Sequence, residues 1–172
     1  SQKNRQKPAY RTGDCGGVEI SITFFGIMPF MNDQPTTHKF VAVLNKKIEV
    51  GKLMNALAHM TAGLSSYIPD KEAMRFDSYI DKDGGEHRSI SDNPFIILSA
   101  DNSNQIRTLR NALKENNVPF TDFTNTMTVG TFAEQRQRTS ETPELELEYY
   151  GICFFGEKMQ LSELTKKFSL WR

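Results

Sequence analysis

Hydrophobic and polar positions follow two different periods along the chain. Residues 18–24 alternate with a period of two, which is typical of a half-buried strand at a sheet edge. Residues 40–44 and 94–98 are short apolar runs, which predict strands covered on both faces. Residues 51–67 have helical spacing. The buried stripe of this helix is predicted from apolar residues at three- and four-residue steps: Leu53, Leu57, Met60 and Leu64.

The rest of the chain continues this alternation of strands and helices. Asp83-Gly84 or Gly84-Gly85 predicts the turn of a hairpin, and Thr131 with Glu134 has the spacing of a capping box. The further predicted elements are the hairpin 76–90, a helix from 101–103 to 114, strands 119–123 and 147–155, a polar loop 136–148, a helix 159–167 and an extended end 168–171. This order predicts an α/β fold: a mixed, mainly parallel sheet of about four strands flanked by helices, with an extra N-terminal strand.

The predicted edge strand is separated from the other elements by a polar, proline-containing linker over residues 32–37. We therefore predict an N-terminal extension over residues 1–37 and a main domain over residues 38–172. The first eleven residues carry four basic side chains and no acidic one. They are interpreted either as a solvated tail or as an arm that binds phosphate groups.

Charge and composition narrow the class of protein. The 172 residues carry 21 basic and 21 acidic side chains, and the mean hydropathy is -0.51. These values exclude a membrane-spanning protein and give no overall attraction for a polyanion such as tRNA. The two cysteines, Cys15 and Cys153, fit a reduced cytoplasmic protein without structural disulfides. Since no Gly-rich phosphate loop is present and His38, His59 and His87 lack metal-ligand spacing, we predict neither a cofactor nor a metal site.

One group of residues on the first predicted helix is a candidate functional site. Lys52 and His59 are seven positions apart, which places them on nearly the same side of a helix, ~10 Å apart along its axis. Asn55 and Ala56 lie on the turn between them. We expect free backbone N–H groups of the first turn to join Lys52 in holding an anion, with His59 available to transfer a proton. The alternative is a solvated lysine and a merely hydrogen-bonded histidine.

A second polar cluster follows the predicted strand 119–123, where α/β sheets commonly carry ligand-binding groups. The same residue types are also common in turns and helix caps, so a structural role is an equal alternative. The residues of this cluster are Thr121, Thr124, Asn125, Thr126 and Thr128.

The strand 40–44 and the helix segment 51–64, with the sequence GKLMNALAHMTAGL, resemble the strand and first helix of type 2 peptidyl-tRNA hydrolases. Four further segments, residues 79–87, 90–94, 122–127 and 156–170, are similar to a bacterial family with that fold, number two thousand in the series of domains of unknown function. The resemblance covers residues 38–171. It implies a mixed, mainly parallel sheet flanked by helices, and a homodimer, since such proteins are often dimeric.

The resemblance also implies roles for particular residues. In the hydrolases a lysine and a histidine on the first helix act with an acidic residue after the third strand, and together they position water against the ester of peptidyl-tRNA. Lys52 and His59 match the first two positions, and Thr128 lies near the hydrolase threonine. Ala56 stands where the helix glutamine is expected and Asn125 where the acid is expected. Asparagine cannot take up a proton as a carboxylate can, so these are departures from the pattern.

The sequence is therefore consistent with two functions. The first is a cleft that binds a small anionic ligand or a protein partner and does not hydrolyse peptidyl-tRNA. Its predicted ligand-binding residues are Lys52, Asn55, Thr124 and Asn125. The alternative is a hydrolase of an ester or amide bond, in which Lys52 binds an anion or oxyanion and His59 is the general base. In that alternative the substrate is oriented by Asn125 and Thr128.

Overall fold

The computed structural model describes residues 35–172, and the predicted edge strand 18–24, with nearly all of the predicted extension 1–37, lies outside the described residues. The boundary near residue 38 therefore stays a prediction. The strands and helices in this part of the chain are, in order, β1 (His38–Asn45), α1 (Val50–Tyr67), β2 (Phe76–Ile80), β3 (Glu86–Ser91), β4 (Phe95–Ala100), α2 (Ser103–Glu115), β5 (Phe120–Thr124), α3 (Phe132–Glu141), β6 (Tyr149–Glu157), α4 (Lys158–Thr165) and β7 (Ser169–Leu170). None of these helices is long and apolar enough to cross a membrane.

The architecture is an α/β fold with one mixed five-stranded sheet and a separate two-stranded hairpin. The strand order in the larger sheet is β5-β6-β1-β4-β7, and β2 pairs with β3 to form the hairpin. The fifth strand of the larger sheet is the short β7, at the predicted extended C-terminal end. The predicted hairpin turn is present, and Gly84 adopts a positive φ of 84° there.

The expectation of a mainly parallel sheet is wrong. Only β1 and β4 pair in parallel, whereas β6 is antiparallel to both β1 and β5, and β7 is antiparallel to β4. The cause lies in the connection between β5 and β6. The backbone N–H of Asn125 donates to the carbonyl of Glu148, so the chain leaves β5 and enters β6 at the same edge of the sheet. Strands whose connection starts and ends at one edge must run in opposite directions.

The connection between β5 and β6 also differs from the predicted polar loop over residues 136–148. The capping box of Thr131 and Glu134 is present, and the helix it begins continues to Glu141. No residue of α3 is buried, but its Arg138 donates hydrogen bonds to the carbonyls of Thr126 and Val129. Polar contacts to the preceding turn therefore hold a helix that hydrophobic periodicity did not indicate.

The core lies on both faces of the larger sheet. Alternate residues of β1 face opposite ways, so Phe40, Ala42 and Leu44 pack in the layer of α1, whereas Val41 and Val43 pack in the layer of α2 and α4. The buried residues of α1 are Leu53, Ala56, Met60 and Leu64. This matches the predicted stripe except that Ala56 is buried and Leu57 is only half-buried.

A glycine in β6 sets how closely α1 approaches the sheet. A Cβ at Gly151 would lie 2.7 Å from Leu44 Cδ2 and 2.9 Å from Met60 Cε. Because no side chain fits there, Met60 of α1 packs directly over the backbone of β6. This contact fixes α1, and with it the polar residues on the opposite side of the helix.

Candidate functional site

The site is built around the N-terminus of α1, at the sheet edge where β1 and β5 both end. Glu49 is the N-cap residue, and its Oε1 accepts a hydrogen bond from the Gly51 N–H at 3.1 Å. The backbone N–H groups of Lys52 and Leu53 both donate to the Glu49 carbonyl. The expectation that free first-turn N–H groups hold an anion is therefore wrong for these three amides, because Glu49 already accepts from all of them.

A pocket of about 330 Å³ opens beside this helix end. Its walls come from the first turns of α1, the end of β5 and the turn that follows β5. The lining residues are Glu49, Gly51, Lys52, Asn55, Phe123, Thr128 and Val129. The pocket thus contains one carboxylate, one ammonium group, an amide, a hydroxyl and an aromatic ring.

His59 is not among the residues that line this pocket, but it lies next to one of them. Its ring is stacked on Phe123, with 6.0 Å between ring centroids and an interplanar angle of 29°. Phe123 itself is nearly buried and lines the pocket, whereas His59 is exposed. Phe123 therefore borders both groups, because it lines the pocket with Lys52 and stacks against His59.

Three polar residues on this side of α1, Lys52, Asn55 and His59, have side chains without a partner in the described part of the protein. Within residues 35–172, no hydrogen bond or ion pair engages the side chains of Lys52, Asn55 or His59. Ala56, where the resemblance to the hydrolases implies a glutamine, is fully buried and does not belong to this group of exposed side chains. Three adjacent polar groups are thus available to solvent or to a ligand.

The residues predicted from the second polar cluster divide between the pocket and the interior. Thr128 lines the pocket while its hydroxyl donates to the Asn125 carbonyl at 2.8 Å. Thr124 is 1% exposed, and its hydroxyl is bonded to Thr126, which is bonded in turn to Thr139. The side-chain oxygen of Asn125 accepts the backbone N–H of Glu148 at 3.1 Å. The structure therefore brings Lys52, Asn55 and Thr128 together and uses Thr124 and Asn125 in internal bonds.

Four of the seven residues that line the pocket were absent from the set predicted from the sequence: Glu49, Gly51, Phe123 and Val129. Glu49 directly precedes the helix and lies three residues before Lys52. Phe123 belongs to β5 and packs in the layer of α1. Glutamate is not among the preferred N-cap residues, and the periodicity placed the helix start at residue 51, so Glu49 fell outside the predicted element.

Other candidate chemistry in the described part of the chain is limited. Residues 35–172 contain no group of three or more His, Cys, Asp or Glu side chains that could hold a metal ion. Cys153 is buried within β6, and this burial raises the pKa of its thiol to about 12. The thiol therefore stays protonated at neutral pH and is a poor nucleophile.

Comparisons with known proteins agree with the fold and supply no chemistry. Residues 38–172 match the family described as Protein of unknown function (DUF2000). The solved structure of Atu0240, a protein of unknown function from Agrobacterium tumefaciens strain C58, is similar with a TM-score of 0.68 and 18% sequence identity. The likeness covers 79% of this chain and 98% of Atu0240. Among curated proteins, none matches this chain.

Proposed function

This chain belongs to the DUF2000 family, which is described as a family of unknown function. On the basis of its own side chains, we propose that it is a small-molecule-binding domain. The ligand occupies the pocket at the N-terminus of α1, and Lys52 binds its anionic group. The observation that carries the proposal is the Lys52 ammonium, which lines the pocket and has no ion-pair partner within residues 35–172. Asn55 and Thr128 supply further polar contacts.

The dimensions and charge of the pocket suit a small ligand of modest affinity. A volume of about 330 Å³ lies at the low end of the range for small-molecule sites. Lys52 is exposed, so a single charge pair at 4 Å contributes ~1 kcal/mol when fully solvated and ~4 kcal/mol near a protein surface. Contact with the Phe123 ring adds an apolar contribution. Together these contributions favour binding in the millimolar range.

The proposal also excludes hydrolysis of peptidyl-tRNA. In the resembled hydrolases an acidic residue acts with the histidine, and Asn125 stands at that position here. As a carboxamide, Asn125 carries no negative charge, and its side-chain oxygen accepts a hydrogen bond from the Glu148 backbone N–H and none from His59. Peptidyl-tRNA is therefore expected to give no turnover.

The proposal is tested by titrating the protein with 3-phenylpropanoate and with inorganic phosphate while amide chemical shifts are recorded. Shifts for 3-phenylpropanoate are expected at residues 49–55 and 123–129, and Lys52→Gln is expected to weaken its binding at least tenfold. Lys47→Gln is the matched control, because Lys47 is also exposed and lies just before α1, outside the pocket. Equal affinities in wild type and Lys52→Gln would contradict the proposal.

A second candidate function, ester hydrolysis, is favoured by the exposed His59 imidazole stacked on a pocket residue. In this candidate His59 activates water and Lys52 stabilises the oxyanion. A small aryl ester such as 4-nitrophenyl acetate tests it, with His59→Ala compared against His87→Ala, an exposed histidine on the hairpin. A loss of turnover confined to His59→Ala supports hydrolysis; equal rates in all three proteins remove the candidate.

A further inference from the structure

The pocket carries a negative charge beside its positive one. Glu49 lines the pocket together with Lys52, three residues later on the same helix end. Its carboxylate is held at the helix start by the Gly51 N–H. Gly51 also leaves the space for it, because a Cβ at residue 51 would lie 2.8 Å from Glu49 Oε1. The carboxylate position is therefore part of how the first turn is built.

The two charged side chains are not in direct contact. Glu49 and Lys52 have the spacing at which helical side chains commonly pair, yet they form no ion pair within the described part of the chain. Each charge is thus free to meet a ligand group of the opposite sign. In the same pocket, Phe123 and Val129 provide an apolar wall.

A ligand with one kind of charge fits this arrangement incompletely. A simple anion gains from Lys52 but approaches the Glu49 carboxylate, and like charges at short distance repel. A simple amine gains from Glu49 but is repelled by the Lys52 ammonium group. A ligand that carries both charges satisfies both side chains and repels neither.

Building on the proposed function, we propose that the ligand class of this pocket is the zwitterionic α-amino acid with an apolar side chain. Its carboxylate pairs with Lys52, its ammonium pairs with Glu49, and its side chain contacts Phe123 and Val129. Asn55 and Thr128 add hydrogen bonds to the carboxylate and the ammonium.

The experiment uses three probes that share one apolar body and differ in charge: L-phenylalanine, 3-phenylpropanoate and 2-phenylethylamine. Their dissociation constants are measured by calorimetry or by amide chemical shifts on the full chain. L-Phenylalanine is expected to bind at least tenfold more tightly than either probe with a single charge. Lys52→Gln is expected to weaken the binding of L-phenylalanine and of 3-phenylpropanoate.

Glu49 is tested with two substitutions that both preserve helix capping. Asparagine and aspartate are both strong N-cap residues, so Glu49→Asn removes the charge and Glu49→Asp keeps it while both proteins fold. Glu49→Asn is expected to lower the affinity for L-phenylalanine about tenfold and to raise the affinity for 3-phenylpropanoate. Glu49→Asp is expected to retain the preference for the amino acid.

The outcomes separate this inference from the proposed function. If 3-phenylpropanoate binds as tightly as L-phenylalanine and Glu49→Asn changes neither, the inference is overturned while Lys52-dependent anion binding stands. If neither carboxylate-bearing probe binds in a Lys52-dependent way, or if only 2-phenylethylamine binds, both proposals are overturned. A charge-dependent preference that Glu49→Asn abolishes supports the inference.

Discussion

Two clusters in this protein combine cationic side chains with aromatic rings, but they use their polar groups in opposite ways. In the first, Lys52 lines the pocket with Phe123 and His59 stacks on the same ring, and neither Lys52 nor His59 has a hydrogen-bond or ion-pair partner in the described residues. In the second, here called the α2–β6 cluster, Arg107 and Arg110 lie over the ring of Tyr149. Its acidic members are Asp122 and Glu144, which pair with Arg110 and Arg107 respectively.

Nearly every polar group of the α2–β6 cluster has a partner in the protein. Arg107 donates to the Glu144 carboxylate and to the carbonyls of Glu144, Leu145 and Leu147. The Tyr149 hydroxyl donates to Glu144 Oε1 at 2.9 Å. Burial, followed by this hydrogen bond, raises the pKa of Tyr149 to about 12. Charged groups that are paired within the protein hold the chain in place, whereas charged groups without such partners are available to a ligand.

The largest expected effect comes from removing Arg107. Arg107→Met removes a donor from the carbonyls of Glu144, Leu145 and Leu147 and leaves the Glu144 carboxylate with only the Tyr149 hydroxyl, so we expect a loss of about 2–4 kcal/mol in the free energy of unfolding. Lys52→Met, by comparison, is expected to change it by less than ~0.5 kcal/mol, because Lys52 is exposed and unpaired. Urea denaturation measures both, and similar values for the two variants would contradict the comparison.

A smaller effect is expected from removing a single hydroxyl group. Tyr149→Phe keeps the ring beneath the two arginines and deletes only the hydrogen bond to Glu144, so we expect a loss of about 1 kcal/mol. Tyr150→Phe is the control, since Tyr150 is also buried and no hydrogen bond of its hydroxyl is found in the described structure. If both substitutions cost the same, the Glu144 contact is not what stabilises this region.

The contribution of the Glu144 carboxyl to the pH dependence of stability is expected to be smaller than the effects of Arg107→Met and Tyr149→Phe. The hydrogen bond from Tyr149, followed by that from Arg107, lowers the pKa of this carboxyl below its usual 4.5. A lowered folded-state pKa means that the stabilisation is present above pH 4.5 and is lost as the pH falls through the folded value. The stability of the wild type should therefore fall more steeply below pH 4.5 than that of Glu144→Gln. Parallel curves in acid urea titrations would show that Glu144 is not linked to folding.

The smallest change in stability is expected at Gly51. Alanine favours helix by ~1 kcal/mol relative to glycine, but its Cβ would displace the Glu49 carboxylate and weaken the cap by a comparable amount. We therefore expect Gly51→Ala to unfold within ~0.5 kcal/mol of wild type while it binds L-phenylalanine less tightly. A stable variant with unchanged binding would show that the carboxylate position does not matter to the pocket.

The local elements could largely be predicted from the sequence, but the strand directions could not. Apolar runs and helical spacing indicated β1, β4, α1 and α2, and the capping-box spacing indicated the start of α3. The alternation of strands and helices then favoured parallel pairing. The contact that reverses β6 joins Asn125 to Glu148, two polar residues far apart in sequence, and no local pattern marks such a pair.

The candidate site could likewise be predicted only in part from the sequence. Helical geometry was sufficient to place Lys52, Asn55 and His59 on one side of α1, because they belong to a single regular element. It could not show that the Asn125 carboxamide is used by the backbone of β6, since an asparagine after a strand has the same sequence signature in either role. Nor could it show that Glu49 caps the helix from within the pocket.

The meeting of Asn125 with Glu148 has a practical consequence for engineering. The chain between them leaves the sheet and returns to one place, so its length adds little to the free energy of closing that loop, about 0.6 kcal/mol for each doubling. Helix α3 lies within this connection and none of its residues is buried, so the exposed Ala133 is a suitable position to attach a reporter group. A fluorophore there would stand four residues from Val129 in the sequence, and it would report occupancy of the pocket without altering any group that lines it.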